Sequence, residues 1–138
     1  MNYVDRIESY MLRMDLTHTQ LPGTENTWVI DPGNPHRSAI VLRLEEPIVL
    51  FSAPVFECND TTPKRESLFQ LLLTLNEELL YASYSLRGEQ IVLSGAYQVE
   101  NLDFGEFQAM IDDMSLSLDT HLGKLDPWRS ASAQQEAN

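Results

Sequence analysis

Apolar positions along the chain recur with two periods, and the period assigns each segment. Val4, Ile7, Met11 and Met14, joined by Tyr3 and Tyr10, project onto roughly 120° of a helix at about 100° per residue. This predicts a one-faced amphipathic helix that ends near Leu16, because Thr17–Gly23 carries turn formers and the Pro22–Gly23 pair. Trp28–Ile30 reads as a short strand closed by the Pro- and Gly-containing turn Asp31–Pro35. Ala39–Glu46 alternates, with Ile40, Leu42 and Leu44 on one side and Val41, Arg43 and Glu45 on the other, as a half-buried strand does. Ile48–Glu57 is apolar on both sides, and Pro54, which lacks an N–H, requires either an edge position or a bulge.

Thr62 as N-cap and Pro63 at the first helical position start a second helix that runs to about Leu80. Leu68, Leu71, Leu72, Leu75 and Leu79 form one stripe, and Phe69, Leu73 and Leu80 form a second beside it. Together they span an arc of roughly 200°, whereas a helix lying on a single sheet needs little more than ~100°. Gln70, Thr74, Glu77 and Glu78 leave only a narrow polar face, so something besides its own sheet is expected to cover this helix.

Tyr81–Leu86 and Ile91–Glu100, joined by a turn at Arg87–Glu89, predict a β-hairpin. Gly95 falls on its apolar face and marks a bulge or the close approach of another backbone. The last helix has the clearest start: Asp103 at N-cap and Glu106 at the third position make a capping box, and Leu102 and Phe107 are spaced to staple it. Phe104, Phe107, Met110, Ile111, Met114, Leu118, Leu122 and Leu125 again occupy roughly 120°, with Gly123 ending or fraying the helix. From Asp126 the chain is small and polar apart from Trp128. The expected organisation is one α+β domain over residues 1–125, in the order α-β-β-β-α-β-β-α, with helices over one face of a mainly antiparallel twisted sheet. A mobile polar C-terminal tail is expected over 126–138.

Composition narrows the function. The 138 residues suit one domain, and nine Lys and Arg against 21 Asp and Glu give a net charge of −12, which disfavours nucleic acid as a partner. A lone cysteine, Cys58, excludes an internal disulfide framework and a multi-cysteine zinc site and fits a reducing compartment. Asp5 and Glu8 interrupt the first apolar segment, unlike a secretory signal, and no uncharged run nears the ~20 residues that span a bilayer. No membrane partner is expected, and the location read from these features is cytoplasmic.

Candidate chemistry is sparse. His18, His36 and His121 lack partners at the spacing of a helical metal site, so solvent-facing or capping roles are read for them and no metal is expected. Cys58 stands beside Glu57 and Asp60, whose charge opposes thiolate formation, and it reads as structural. The nucleophile elbow and the glycine-rich nucleotide loops are missing. Asp112–Asp113 and Glu77–Glu78 are adjacent pairs whose members point about 100° apart on a helix, and they read as solvated surface. A small enzyme built on Glu57 or Asp31 has no motif behind it. The chain therefore reads as non-catalytic, without a cofactor. Met11, Met14, Met110 and Met114 lie on inner helix faces and read as core, although methionine also suits surfaces that accept varied partners.

Over residues 3–125 the chain resembles the type III secretion chaperones of the Tir chaperone (CesT-like) group and the related YbjN-like proteins. The resemblance rests on the element order, the small size, the acidity, and the stretches Leu68–Leu93 and Glu100–Phe107. It implies a homodimer in the bacterial cytoplasm with the second helix at the interface, which accounts for the surplus apolar arc. It further implies a non-catalytic chaperone or adaptor that holds an extended segment of a client, a secreted effector, by strand addition and apolar pockets. The alternative it carries is a YbjN-like stand-alone regulator of a folded partner. On this reading Leu68, Leu72, Leu75 and Leu79 form one candidate layer for the dimer and Phe69, Leu73 and Leu80 the other. Met11, Trp28, Val41, Phe51 and Val55 are the candidates for client contact, set against ordinary core roles.

Overall fold

The computed structural model describes residues 2–24, 26–31, 33 and 39–137, with side chains as far as Arg129. His36 and most of the turn expected at Asp31–Pro35 lie outside the described residues. The elements are α1 (Tyr3–Arg13), β1 (His18–Gln20), β2 (Thr27–Ile30), β3 (Ile40–Glu45), β4 (Ile48–Glu57), α2 (Arg65–Glu78), β5 (Ser83–Arg87), β6 (Gln90–Gln98), a 3-10 turn at Val99–Asn101, and α3 (Phe104–Ala137). All strands pair antiparallel in one sheet of order β1-β2-β3-β4-β6-β5.

The alternation in β3 decides the layers. Ile40, Leu42 and Leu44 are buried, while Arg43 and Glu45 are exposed, so one sheet face is covered and the other faces outward. Val49, Phe51 and Ala53 of β4 and Leu93 of β6 share the covered face through their register. Ile7 and Met11 of α1, Leu68 and Leu75 of α2, and Phe107, Met110 and Met114 of α3 join them in one core cluster. Phe51 and Phe107 meet with ring centroids 5.7 Å apart, and Tyr10 packs at 5.5 Å from Phe107. The Tyr10 hydroxyl donates to Leu102 C=O, and Arg6 donates to Val99 C=O, which pins α1 to the 3-10 turn.

Several local readings are corrected by tertiary contacts. The turn read over Thr17–Gly23 contains the strand β1, three half-exposed or exposed residues without hydrophobic alternation, held by register with Trp28–Ile30. Pro54 sits in a central strand and is accommodated by a register shift between Pro54 and Phe56, so the bulge reading holds and the edge reading fails. α2 begins at Arg65 rather than Pro63, because the Thr62 hydroxyl accepts from Asn59 N–H in a turn and leaves the helix without a side-chain cap. Asp103 accepts from Glu106 N–H at 2.8 Å and starts α3 as expected. The helix does not stop at Gly123: it continues through Pro127 to Ala137. There the Trp128 Nε1–H donates to Pro63 C=O at 2.9 Å and ties this part of the helix to the start of α2.

Gly95 is where a backbone does approach closely. A Cβ placed on it would lie 2.6 Å from Tyr81 C=O and 2.9 Å from the Met110 methyl. Only a residue without a side chain lets the β6 backbone, the segment entering β5 and α3 meet there.

Candidate protein-binding site

The second helix divides its leucines by depth. Leu68, Leu72 and Leu75 are 0%, 6% and 1% exposed and belong to the chain's own core. Phe69 and Leu79 are half-buried against that core. Leu73 and Leu80, at 71% and 84%, stand in solvent. The helix ends at Glu78 rather than near Leu80, so Leu79 and Leu80 of the predicted stripes lie just beyond it, while on the helix itself Phe69 is half-buried and Leu73 faces outward. Leu68 and Leu75 lie inside the chain's own core, and Leu72, 6% exposed, also lines the groove beside β5.

Between α2 and the edge strand β5 runs a groove of about 290 Å³, lined by Phe69, Leu73, Asn76, Tyr84, Leu86 and Ile91. Leu86, 43% exposed, extends its apolar wall across the strand. The Arg65 guanidinium lies 5.2 Å from the Phe69 ring centroid at one end. On the groove floor the Asn76 side chain accepts from Tyr84 N–H at 2.7 Å and donates to Tyr84 C=O at 3.1 Å.

Beneath this groove a polar contact joins three elements. The Tyr84 hydroxyl and His121 Nδ1 are 2.8 Å apart, and His121 Nε2 lies 3.7 Å from the Glu78 carboxylate at the end of α2. His121 is 4% exposed, so its expected solvent or capping role is wrong. Burial pulls the imidazole pKa below its ordinary value, opposed by the nearby Glu78. Burial likewise raises the Tyr84 hydroxyl, which keeps it protonated as a hydrogen-bond donor. His18 lies on β1, with its Nδ1 3.0 Å from Leu16 C=O. Among the described residues no three His, Cys, Asp or Glu side chains converge as metal ligands.

Of the residues read as client contacts, Met11, Trp28 and Phe51 are 0%, 1% and 0% exposed and sit inside the core cluster. An extended partner would reach them only by opening the fold. Val55 is half-buried against the core at the β4 bulge. Val41 faces outward and, with Leu50, Pro54 and Val92, lines a depression of about 470 Å³ on the open sheet face, flanked by Arg43 and Arg87. The sequence pattern did not single out Leu86 or the two arginines. Leu86 lay in a predicted hairpin strand whose packing against α2 no local pattern encodes, and Arg43 and Arg87 line one depression only through the strand order.

No helix is long and apolar enough to cross a membrane among the described residues. The family profile CesT_Tir_1 matches residues 1–129. Among solved structures, the fold is similar to YbjN, described as a putative transcription regulator from E. coli, at 13% identity and a TM-score of 0.63, covering 86% of this chain and 92% of that one. It is also similar to a chain of the heterodimeric ExoU–SpcU complex from the type III secretion system of Pseudomonas aeruginosa, at 14% identity and a TM-score of 0.65, covering 88% and 98%. A third likeness is to the HopA1–SchA chaperone–effector complex, at 12% identity and a TM-score of 0.56, covering 93% of each chain. Comparison with curated proteins gave no match.

Proposed function

The chain belongs to the CesT_Tir_1 family of type III secretion chaperones, and on that footing we propose that it is a non-catalytic homodimeric chaperone that holds an extended segment of a client, an effector-like protein. The observation that carries this reading is the outward layer of α2. Leu73, on the wall of the Phe69–Leu86 groove, is 71% exposed, and Leu80, just past the end of the helix, is 84% exposed, so large apolar side chains stand in solvent on an acidic chain. Covering one such side chain is worth roughly 1.5–3 kcal/mol, so the layer supplies a strong drive for association. Phe69, Leu73 and Leu80 form the contact with the second copy, and the open sheet face with Val41 is left for the client.

The test is to co-purify the partner from the native host and map the partner's protection from protease with and without the chain. A protected segment that is cleaved rapidly when free, bound to two copies of this chain, supports the proposal. A compact, protease-resistant partner instead supports the second reading, a stand-alone regulator, which the likeness to YbjN favours. One bound copy rather than two would remove the homodimer from either reading.

A further inference from the structure

The net charge of −12 makes basic groups scarce, and four of the eight described ones are engaged elsewhere in the fold. Arg6 donates to backbone carbonyls, Arg13 lies 3.8 Å over the Phe104 ring, Arg65 pairs with Asp60, and Arg129 pairs with Asp126. Arg43 and Arg87 are disposed differently. They come from β3 and β5, separated in the sheet by β4 and β6, and both flank the depression on the open face. Arg87 reaches across the sheet and donates to the Ser52 hydroxyl at 3.3 Å, a neutral partner. Arg43 pairs with Glu45 at 3.0 Å, but both side chains are more than half exposed, and such pairs are weakly held.

The surface between them is apolar. Val41 and Leu50 lie toward Arg43, and Pro54 and Val92 toward Arg87. Val92 is only 1% exposed, yet it stands outside the core cluster, so the open face carries a small apolar floor of its own. Glu57 shares a cross-strand row with Gln90 and Arg87, two strands away from Arg87, and bounds the face at that end. Resting on the chaperone reading above, we propose that this face binds an extended client segment in which a single carboxylate, flanked by apolar residues, is held between Arg43 and Arg87. The guanidinium groups provide forked donors for the carboxylate, and the apolar floor takes its neighbours. The acidity of the whole chain repels a segment with further negative charge, so the preferred occupant carries one acidic residue among apolar, neutral or basic ones.

The experiment pans a library of random peptides on phage against the full chain, then measures affinities of the selected synthetic peptides for wild type, R43Q/R87Q and R43E/R87E. Thermal unfolding of each variant checks that it is folded, and R87Q alone serves if a double variant is not. Selected peptides should carry an Asp or Glu between apolar residues and lose about tenfold or more in affinity for R43Q/R87Q, the weight of a charge-assisted hydrogen bond. Panning on R43E/R87E should replace the acidic position with Lys or Arg. Peptides that bind without acidic preference, or whose binding is lost in L73D and kept in the arginine variants, overturn this site and leave the chaperone reading standing. A library that yields no binders overturns both.

Discussion

Asn76 on α2 takes the place of a strand neighbour for Tyr84 on β5: its amide accepts from Tyr84 N–H at 2.7 Å and donates to Tyr84 C=O at 3.1 Å. β5 is an edge of the sheet, and an edge strand presents unpaired backbone groups that invite other chains. A helical side chain closes this edge at its centre. Replacing Asn76 by Leu leaves two backbone groups without partners, and a loss of about 1–3 kcal/mol in unfolding free energy is expected by denaturant titration. An unchanged midpoint would mean that water replaces the amide without cost.

Gly95→Ala brings a methyl group to within 2.6 Å of Tyr81 C=O, a backbone atom that has no rotamer to escape into. Overpacking of this kind costs about 1–3 kcal/mol. The melting temperature of G95A should fall accordingly, and a neutral result would show that the segment entering β5 shifts freely.

The two leucine layers of α2 should respond differently to the same substitution. Leu75→Asp buries a carboxylate in the core and is expected to unfold the chain or cost more than about 3 kcal/mol. Leu73→Asp changes a side chain already in solvent and should leave monomer stability within about 0.5 kcal/mol while converting dimer to monomer in light scattering. A dimer that survives L73D places the interface elsewhere.

His121 predicts a pH dependence. It faces Tyr84 of β5 and Glu78 of α2, with Lys124 and Asp113 of its own helix nearby, and burial holds its pKa below the usual value. The unfolded chain, where the imidazole titrates near about 6.5, therefore binds more protons than the folded one just below that pH. Stability is full above it and declines as pH falls toward the folded pKa. Urea titrations at about pH 7.5 and 5.5 should show the decline in wild type and a shallower one in H121Q. Equal declines would assign the pH dependence to other groups.

Much of this architecture was legible in periodicity. The period-2 pattern of Ile40–Glu45 and the capping residue Asp103 mark a strand and a helix start through contacts within a few residues. The surplus arc of α2 corresponds to apolar side chains at two depths, Leu68 and Leu75 in the core and Leu73 in solvent. What failed depended on distant partners. His18–Gln20 forms a strand only because Trp28–Ile30 offers it an edge, and α3 runs on past Gly123 to where Trp128 anchors to Pro63. Met11, Trp28 and Phe51 are large apolar residues whose pattern fits either a core or a contact surface, and their burial follows from the packing of helices against the sheet.

By itself the sequence determined the α+β class, the boundaries of the long strands, the acidity of the surface and the excess of apolar helix, because each depends on local periodicity or on composition. Tertiary structure alone decided which leucines of α2 face outward, that His121 is buried against Tyr84, and that Arg43 and Arg87 share one sheet face. Those relations join residues tens of positions apart. Their distances are set by strand order and helix packing, which no local pattern encodes.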